Sequence, residues 1–134
     1  MIPVRYADID LSNGQVRDYP LSENVVRMFL GGKGLAAYIL YQELAPGIDP
    51  LSADNVLILN TTPLTGTGAP CTSRFNASSK NVLTGGIASS NCGGTFGVKL
   101  RRAGYDGLII RGKAPHPCCL TIMDGQITIT DATE

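Results

Sequence analysis

Residues 60–97 read NTTPLTGTGAPCTSRFNASSKNVLTGGIASSNCGGTFG, with two charged side chains, Arg74 and Lys80, both positive. The stretch is rich in Gly, Ser, Thr and Asn and holds no His, Asp or Glu. Such a loop system exposes backbone N–H groups and small hydroxyls around a rare cation. That is the chemistry with which a protein cradles an anionic, phosphate-bearing ligand. The flanking sequence then has to supply the scaffold.

The scaffold can be read in order. Residues 5–11 read as a strand, and Asn13-Gly14 is a strong hairpin signal before a returning strand at 15–19. Ser22 caps a short helix, with Glu23 at the positive end of its dipole. Val25, Val26, Phe29 and Leu30 form its apolar stripe. Gly31 and Gly32 stop it, and a second helix is expected from about Gly34 to Glu43. The Gly31-Gly32-Lys33-Gly34 junction is either a plain connection that lets two backbones pack closely or a cofactor contact. Residues 45–55 are a loop, and Val56 to Leu59 form a continuous apolar run, expected as a buried central strand. After Gly94 a helix is expected, with Phe96, Leu100 and Ala103 on one face and Gly104 at its end. Residues 107–111 read as a second buried strand. Residues 118–123 and 126–130 read as a hairpin across Asp124-Gly125. The two hairpins hint at an internal duplication. Without regular β-α-β alternation, the pattern predicts an α+β fold of mostly antiparallel sheets, with hairpins at both ends and about three short helices.

A chain of 134 residues reads as one domain, 1–134. Its charged share of 16% is low against a usual ~25%, so more of its surface than usual is expected to be covered. Eleven basic residues balance eleven acidic ones, which argues against nucleic acid as a partner. No apolar run approaches membrane-spanning length and the first ten residues hold no signal-peptide core; a cytoplasmic location is expected. The four cysteines form no C-x-x-C pair, so no zinc or iron–sulfur site is expected from this chain, and the cysteines are expected to be free and buried.

Within the central stretch, Gly66 and Gly68 permit close approach of a ligand, and Thr65 and Thr67 add hydroxyl donors. Arg74 can grip phosphate or carboxylate oxygens bidentately; the alternative is a surface ion pair, but the stretch holds no acid. Asn91 either caps the following helix or binds a ligand, and Gly93-Gly94 lead into that helix's N-terminus. His116, the single histidine, sits between two prolines. The residues therefore read as a binding module for an anionic cofactor without catalytic groups of its own.

Several of these segments together carry a resemblance. Pro63-Leu64-Thr65-Gly66-Thr67-Gly68-Ala69-Pro70, Ser73-Arg74-Phe75-Asn76, Asn91-Cys92-Gly93-Gly94-Thr95-Phe96-Gly97 and Ala103-Gly104-Tyr105-Asp106 closely resemble the N-terminal domain of the aldehyde:ferredoxin oxidoreductase family. The resemblance covers nearly the whole chain. It implies a tungsten or molybdenum bis-pyranopterin cofactor with bridging Mg, seated on this domain as a base. The family's cofactor-contacting Arg falls on Arg74 and its Asn on Asn91, followed by Gly93 and Gly94. The resemblance further implies oxidation of aldehydes to acids, with electrons passed through a 4Fe-4S cluster to ferredoxin. Cluster and acid–base residues belong to later domains, so this chain alone is expected to be inactive. Cys71 stands where members often have Thr, and Cys92 where they often have Ser. The partners implied are the pterin cofactor, the remaining domains, ferredoxin and a second copy of the chain. Without those domains, an open face is expected, with an empty site or a disordered 65–73 loop. The alternatives are a free-standing pterin- or nucleotide-binding or assembly module, and a non-catalytic structural subunit.

Overall fold

A computed structural model describes residues 4–133. The elements run β1 (Tyr6–Asp10), β2 (Gln15–Tyr19), α1 (Glu23–Phe29), α2 (Gly32–Glu43), β3 (Leu57–Asn60), β4 (Phe75–Lys80), β5 (Ile87–Cys92), α3 (Phe96–Arg102), β6 (Gly107–Arg111), β7 (Cys118–Met123) and β8 (Gln126–Asp131). The fold is α+β, as the sequence pattern predicts. Six strands form one sheet in the order β2-β1-β6-β3-β4-β5, and β7-β8 form a separate hairpin. All pairings are antiparallel except β1 with β6.

Period-two alternation explains how both faces of the large sheet are covered. Tyr6, Ile58 and Ile109 pack on one face against Leu35, Ala36, Ile39 and Leu40 of α2. Ala7, Ile9 and Leu108 pack on the other with Leu100 and Tyr105, beneath Leu120, Ile122, Ile127 and Ile129 of the β7-β8 hairpin. The hairpin turns on Asp124 (φ 49°) and Gly125 (φ 75°), the two left-handed residues of a two-residue turn. The two terminal hairpins belong to different sheets, so their similarity does not extend to a repeated topology.

Three local expectations are corrected. Ser22 does cap α1, accepting from the Val25 N–H. However, Leu30 leaves the apolar stripe: it adopts φ 63° and is 61% exposed. The chain reverses at Leu30 and Gly31, so α2 begins at Gly32 and not near Gly34. A side chain at Gly31 would stand 2.8 Å from the Thr61 carbonyl, and the Gly32 N–H donates to that same oxygen at 2.9 Å. The junction glycines thus let the helix start press against the exit of β3, the close-packing use. Third, the cysteines are free but not buried: Cys71, Cys92 and Cys119 are exposed and Cys118 is intermediate. Cys71 lies on the loop before β4 and Cys92 ends β5, while Cys119 faces away from the side of β7 that Cys118 shares with Leu120 and Ile122.

Candidate cofactor-binding site

The site is built where β3, β4 and β5 end together. Asn60 pairs with Asn76, and Asn76 with Asn91, so three asparagines stand side by side across three strands. Phe75 pairs with Cys92 at the next step, and beyond it the chains continue as Arg74 on one side and Gly93 on the other. The antiparallel register thereby gathers all four expected site residues, Arg74, Asn91, Gly93 and Gly94, at one end of one strand pair.

Arg74 is exposed, and its guanidinium makes no ion pair or hydrogen bond among the described residues. Gly93 and Gly94 face open space where a side chain would stand, and Gly94 adopts φ 92°, a conformation costly for other residues. Asn91 is not a helix cap. It lies inside β5, and the α3 cap position is Thr95, which makes no side-chain capping bond. Its amide oxygen accepts from Asn76 Nδ2 at 3.2 Å, which leaves Asn91 Nδ2 without a partner among the described residues. An unneutralised guanidinium, a free amide donor and open glycine backbone fit an anionic, phosphate-bearing group. Among the described residues no three His, Cys, Asp or Glu side chains come together as a metal site.

The threonine hydroxyls expected to serve a ligand serve the loop instead. Thr65 is buried; its Oγ1 accepts from the Thr62 N–H at 3.1 Å and donates to the Arg74 carbonyl at 3.0 Å. Thr67 Oγ1 donates to the Leu64 carbonyl. Thr72 Oγ1 does the same to Ala69. The 65–73 loop is therefore a chain of tied turns.

Two contributors escaped the sequence reading. Arg101 in α3 donates through Nη1 to the carbonyls of Pro63 at 3.0 Å and Thr65 at 2.7 Å, while its Nε pairs with Asp106 at 3.0 Å. It clamps the first turn of the loop that carries Arg74. Its position at the end of a basic helix turn signalled only dipole compensation. Asn76 is the other, a buried amide directly beneath Asn91. Phe75 and Phe96 complete the support, with ring centroids 4.6 Å apart, and seat α3 against the base of Arg74.

A cavity of about 290 Å³ opens nearby, lined by Tyr6, Val26, Leu30, Thr62, Pro63 and Arg101 among others. None of the four site residues lines it, and its mostly apolar wall does not suit an anion. The candidate site is an open surface at the sheet end, a shape suited to a ligand covered from its other side.

Residues 6–134 match the family model for the aldehyde ferredoxin oxidoreductase N-terminal domain. The chain is 43% identical over 129 residues to a tungsten-containing aldehyde ferredoxin oxidoreductase of Pyrococcus furiosus, covering 96% of this chain and 21% of that protein. It is 40% identical over 130 residues to the WOR-like subunit of an aliphatic sulfonate oxidoreductase from the same organism, covering 95% of this chain and 20% of the relative. Among solved structures, the active-site complex BamBC of benzoyl coenzyme A reductase, in complex with 1,5-dienoyl-CoA, superposes with a TM-score of 0.91 at 33% identity, over 96% of this chain and 20% of that one. The chain spans about a fifth of the length of these relatives.

Proposed function

The chain belongs to the aldehyde ferredoxin oxidoreductase family, whose N-terminal domain it matches, and on that premise we propose that it is the pterin-binding base of a tungsten or molybdenum oxidoreductase. The observation that carries this reading is Arg74, an exposed cation without an ion pair among the described residues, set by strand register beside Asn91, Gly93 and Gly94. In this reading that end of the sheet would hold the phosphates of a bis-pyranopterin with its Mg. Arg74 takes phosphate oxygens bidentately, Asn91 contributes an amide, and the two glycines let the backbone come close. A tungsten or molybdenum centre held there would supply the two-electron oxidation of an aldehyde to its acid, with electrons passed through a 4Fe-4S cluster to ferredoxin. The chain's own part is to bind and orient. Its central stretch holds no His, Asp or Glu, the side chains most often used for proton transfer.

The relatives support this division of labour. Their names speak of an aldehyde, an aliphatic sulfonate and a coenzyme A thioester, yet they share this domain. A part common to such different substrates suits the common cofactor, and substrate choice falls to the remaining four-fifths of the enzyme. That remainder also covers the open sheet end.

Arg74→Ala in the cofactor-loaded enzyme is expected to weaken retention of tungsten and pterin about a hundredfold, the loss of a bidentate charged contact worth ~3 kcal/mol. Metal analysis of the purified variant measures this. Normal metal and pterin content would remove Arg74 from the site.

A further inference from the structure

Resting on the reading of this chain as one part of a longer enzyme, we infer that the apolar cavity beside the exit of β3 is a docking socket. Its guest is one large apolar side chain from the remaining four-fifths of the enzyme.

The cavity has a volume of about 290 Å³. That is the lower edge of the range for small-molecule pockets, while about 150 Å³ of apolar space already holds a benzene ring. Val26 of α1, Leu30 at its C-cap and Pro63 form the apolar wall. The charged and hydroxyl groups around it have partners within the domain. Arg27 pairs with Glu23 at 3.2 Å and Arg101 with Asp106 at 3.0 Å. The other Asp106 carboxylate oxygen accepts from the Arg5 N–H, and the Thr61 hydroxyl donates to the Asp106 carbonyl. The Tyr6 hydroxyl accepts from Asn60, and the Thr62 hydroxyl shares a hydrogen bond with that of Thr65. What remains for a guest is apolar surface without a free charge, the character of an interface core.

Leu30 gives the second observation. At φ 63° a leucine is strained, and such strain persists only where the surrounding structure requires it. Within this domain it gains no burial: Leu30 is 61% exposed, and Leu64, next to Pro63, is 58% exposed. A guest in the cavity covers the Leu30 side chain and makes the strained position part of an apolar contact.

Position and length name the source of the guest. Thr61, Thr62 and Pro63 open the connection that ends at Arg74, and Asn60 pairs with Asn76 at its base. The cavity and the cofactor cradle therefore lie at the same end of the sheet. The cover over that end belongs to the four-fifths of the relatives that this chain does not span. An apolar anchor in a desolvated pocket holds such a cover in place, whereas rim contacts contribute little.

The intact, cofactor-loaded enzyme tests this. Leu30→Cys is expected to react with a maleimide about tenfold or more slowly than the same cysteine in urea-unfolded enzyme, with peptide mass spectrometry separating it from the native cysteines. Photo-crosslinking from Leu30→benzoylphenylalanine, in a mixture of isotopically light and heavy enzyme, is expected to capture a peptide outside residues 1–134 of the same polypeptide. Val26→Phe fills the cavity from within and displaces the guest, so the unfolding midpoint is expected to fall. If that variant does not fold, the two Leu30 variants decide. Leu30→Cys labelled at the unfolded rate overturns the inference. So does capture only of residues 1–134, of a second copy or of no peptide, and so does a raised midpoint in Val26→Phe, the mark of an empty cavity being filled. Each of these outcomes leaves the pterin reading standing, because that reading falls on a different result, normal metal and pterin content in Arg74→Ala.

Discussion

A methyl group at Gly107 would stand 2.2 Å from Tyr6 Cε1 and 2.6 Å from Cδ1, because the Tyr6 ring lies across its cross-strand partner. The ring cannot swing away freely. It is buried, and its hydroxyl accepts from Asn60 Nδ2 at 3.2 Å. Gly107→Ala is expected to cost about 2–3 kcal/mol through overpacking, read as a lower urea midpoint with an unchanged slope. At this scale the sequence is informative where a residue is unusual for its surroundings. Arg74 stood out as a cation in a stretch without acids, and it is exposed. Thr65 did not: a hydroxyl beside glycines reads as a ligand donor, yet it is buried under its own loop. Arg101 was equally opaque, since its carbonyl partner at Thr65 is 36 positions away. Partners of that kind are products of the tertiary fold, and residue type alone does not name them.

Elements are held to one another by polar links as well as by the two cores. Arg111 of β6 bonds Asp8 of β1 at 2.6 Å and Glu43 of α2 at 2.9 Å, and the Tyr19 hydroxyl donates to Glu43 at 2.7 Å. The end of α2 is thereby fastened to three strands. Burial raises the Glu43 carboxyl, but the hydrogen bonds from Tyr19 and Arg111, with the Arg111 charge, outweigh it and hold the group below its ordinary value. A carboxyl depressed in the folded state stabilises fully above the ordinary carboxylate range, near pH ~4.3, and loses that contribution as pH falls through the folded value. Glu43→Gln is expected to cost about 1–2 kcal/mol at neutral pH and to flatten the acid limb of the stability curve, which urea unfolding at several pH values would measure. Most elements were legible because apolar runs and turn pairs bounded them. Strand β5, IASSNC, was missed: with a single β-branched apolar residue it has little strand preference of its own. Its state is imposed by six paired positions on β4. Missing it is also why Asn91 read as a possible cap.

Across the whole molecule, several large apolar side chains stand in solvent, among them Leu83 at 94% and Tyr41 at 83% exposed. With formal net charge zero there is little repulsion to keep copies apart. Leu83 occupies the β4-β5 connection and adds nothing to either core. Leu83→Ser is expected to change stability by less than about 0.5 kcal/mol while reducing association of the isolated chain, seen by light scattering. Strand order was the least legible property at this scale. Local signals identify strands and hairpins, but nothing in GLIIR says that it lies between β1 and β3.

That insertion governs the order of events in folding. The β1-β2 hairpin and the β3-β4-β5 meander each close locally, but they share no hydrogen-bonded edge until β6 fills the gap between them. Tyr6 meets Gly107 only after a hundred intervening residues have been made, a loop closure that slows folding relative to local pairing. During synthesis the nascent chain carries two half-sheets with open edges, exposed to mispairing until one five-residue strand arrives.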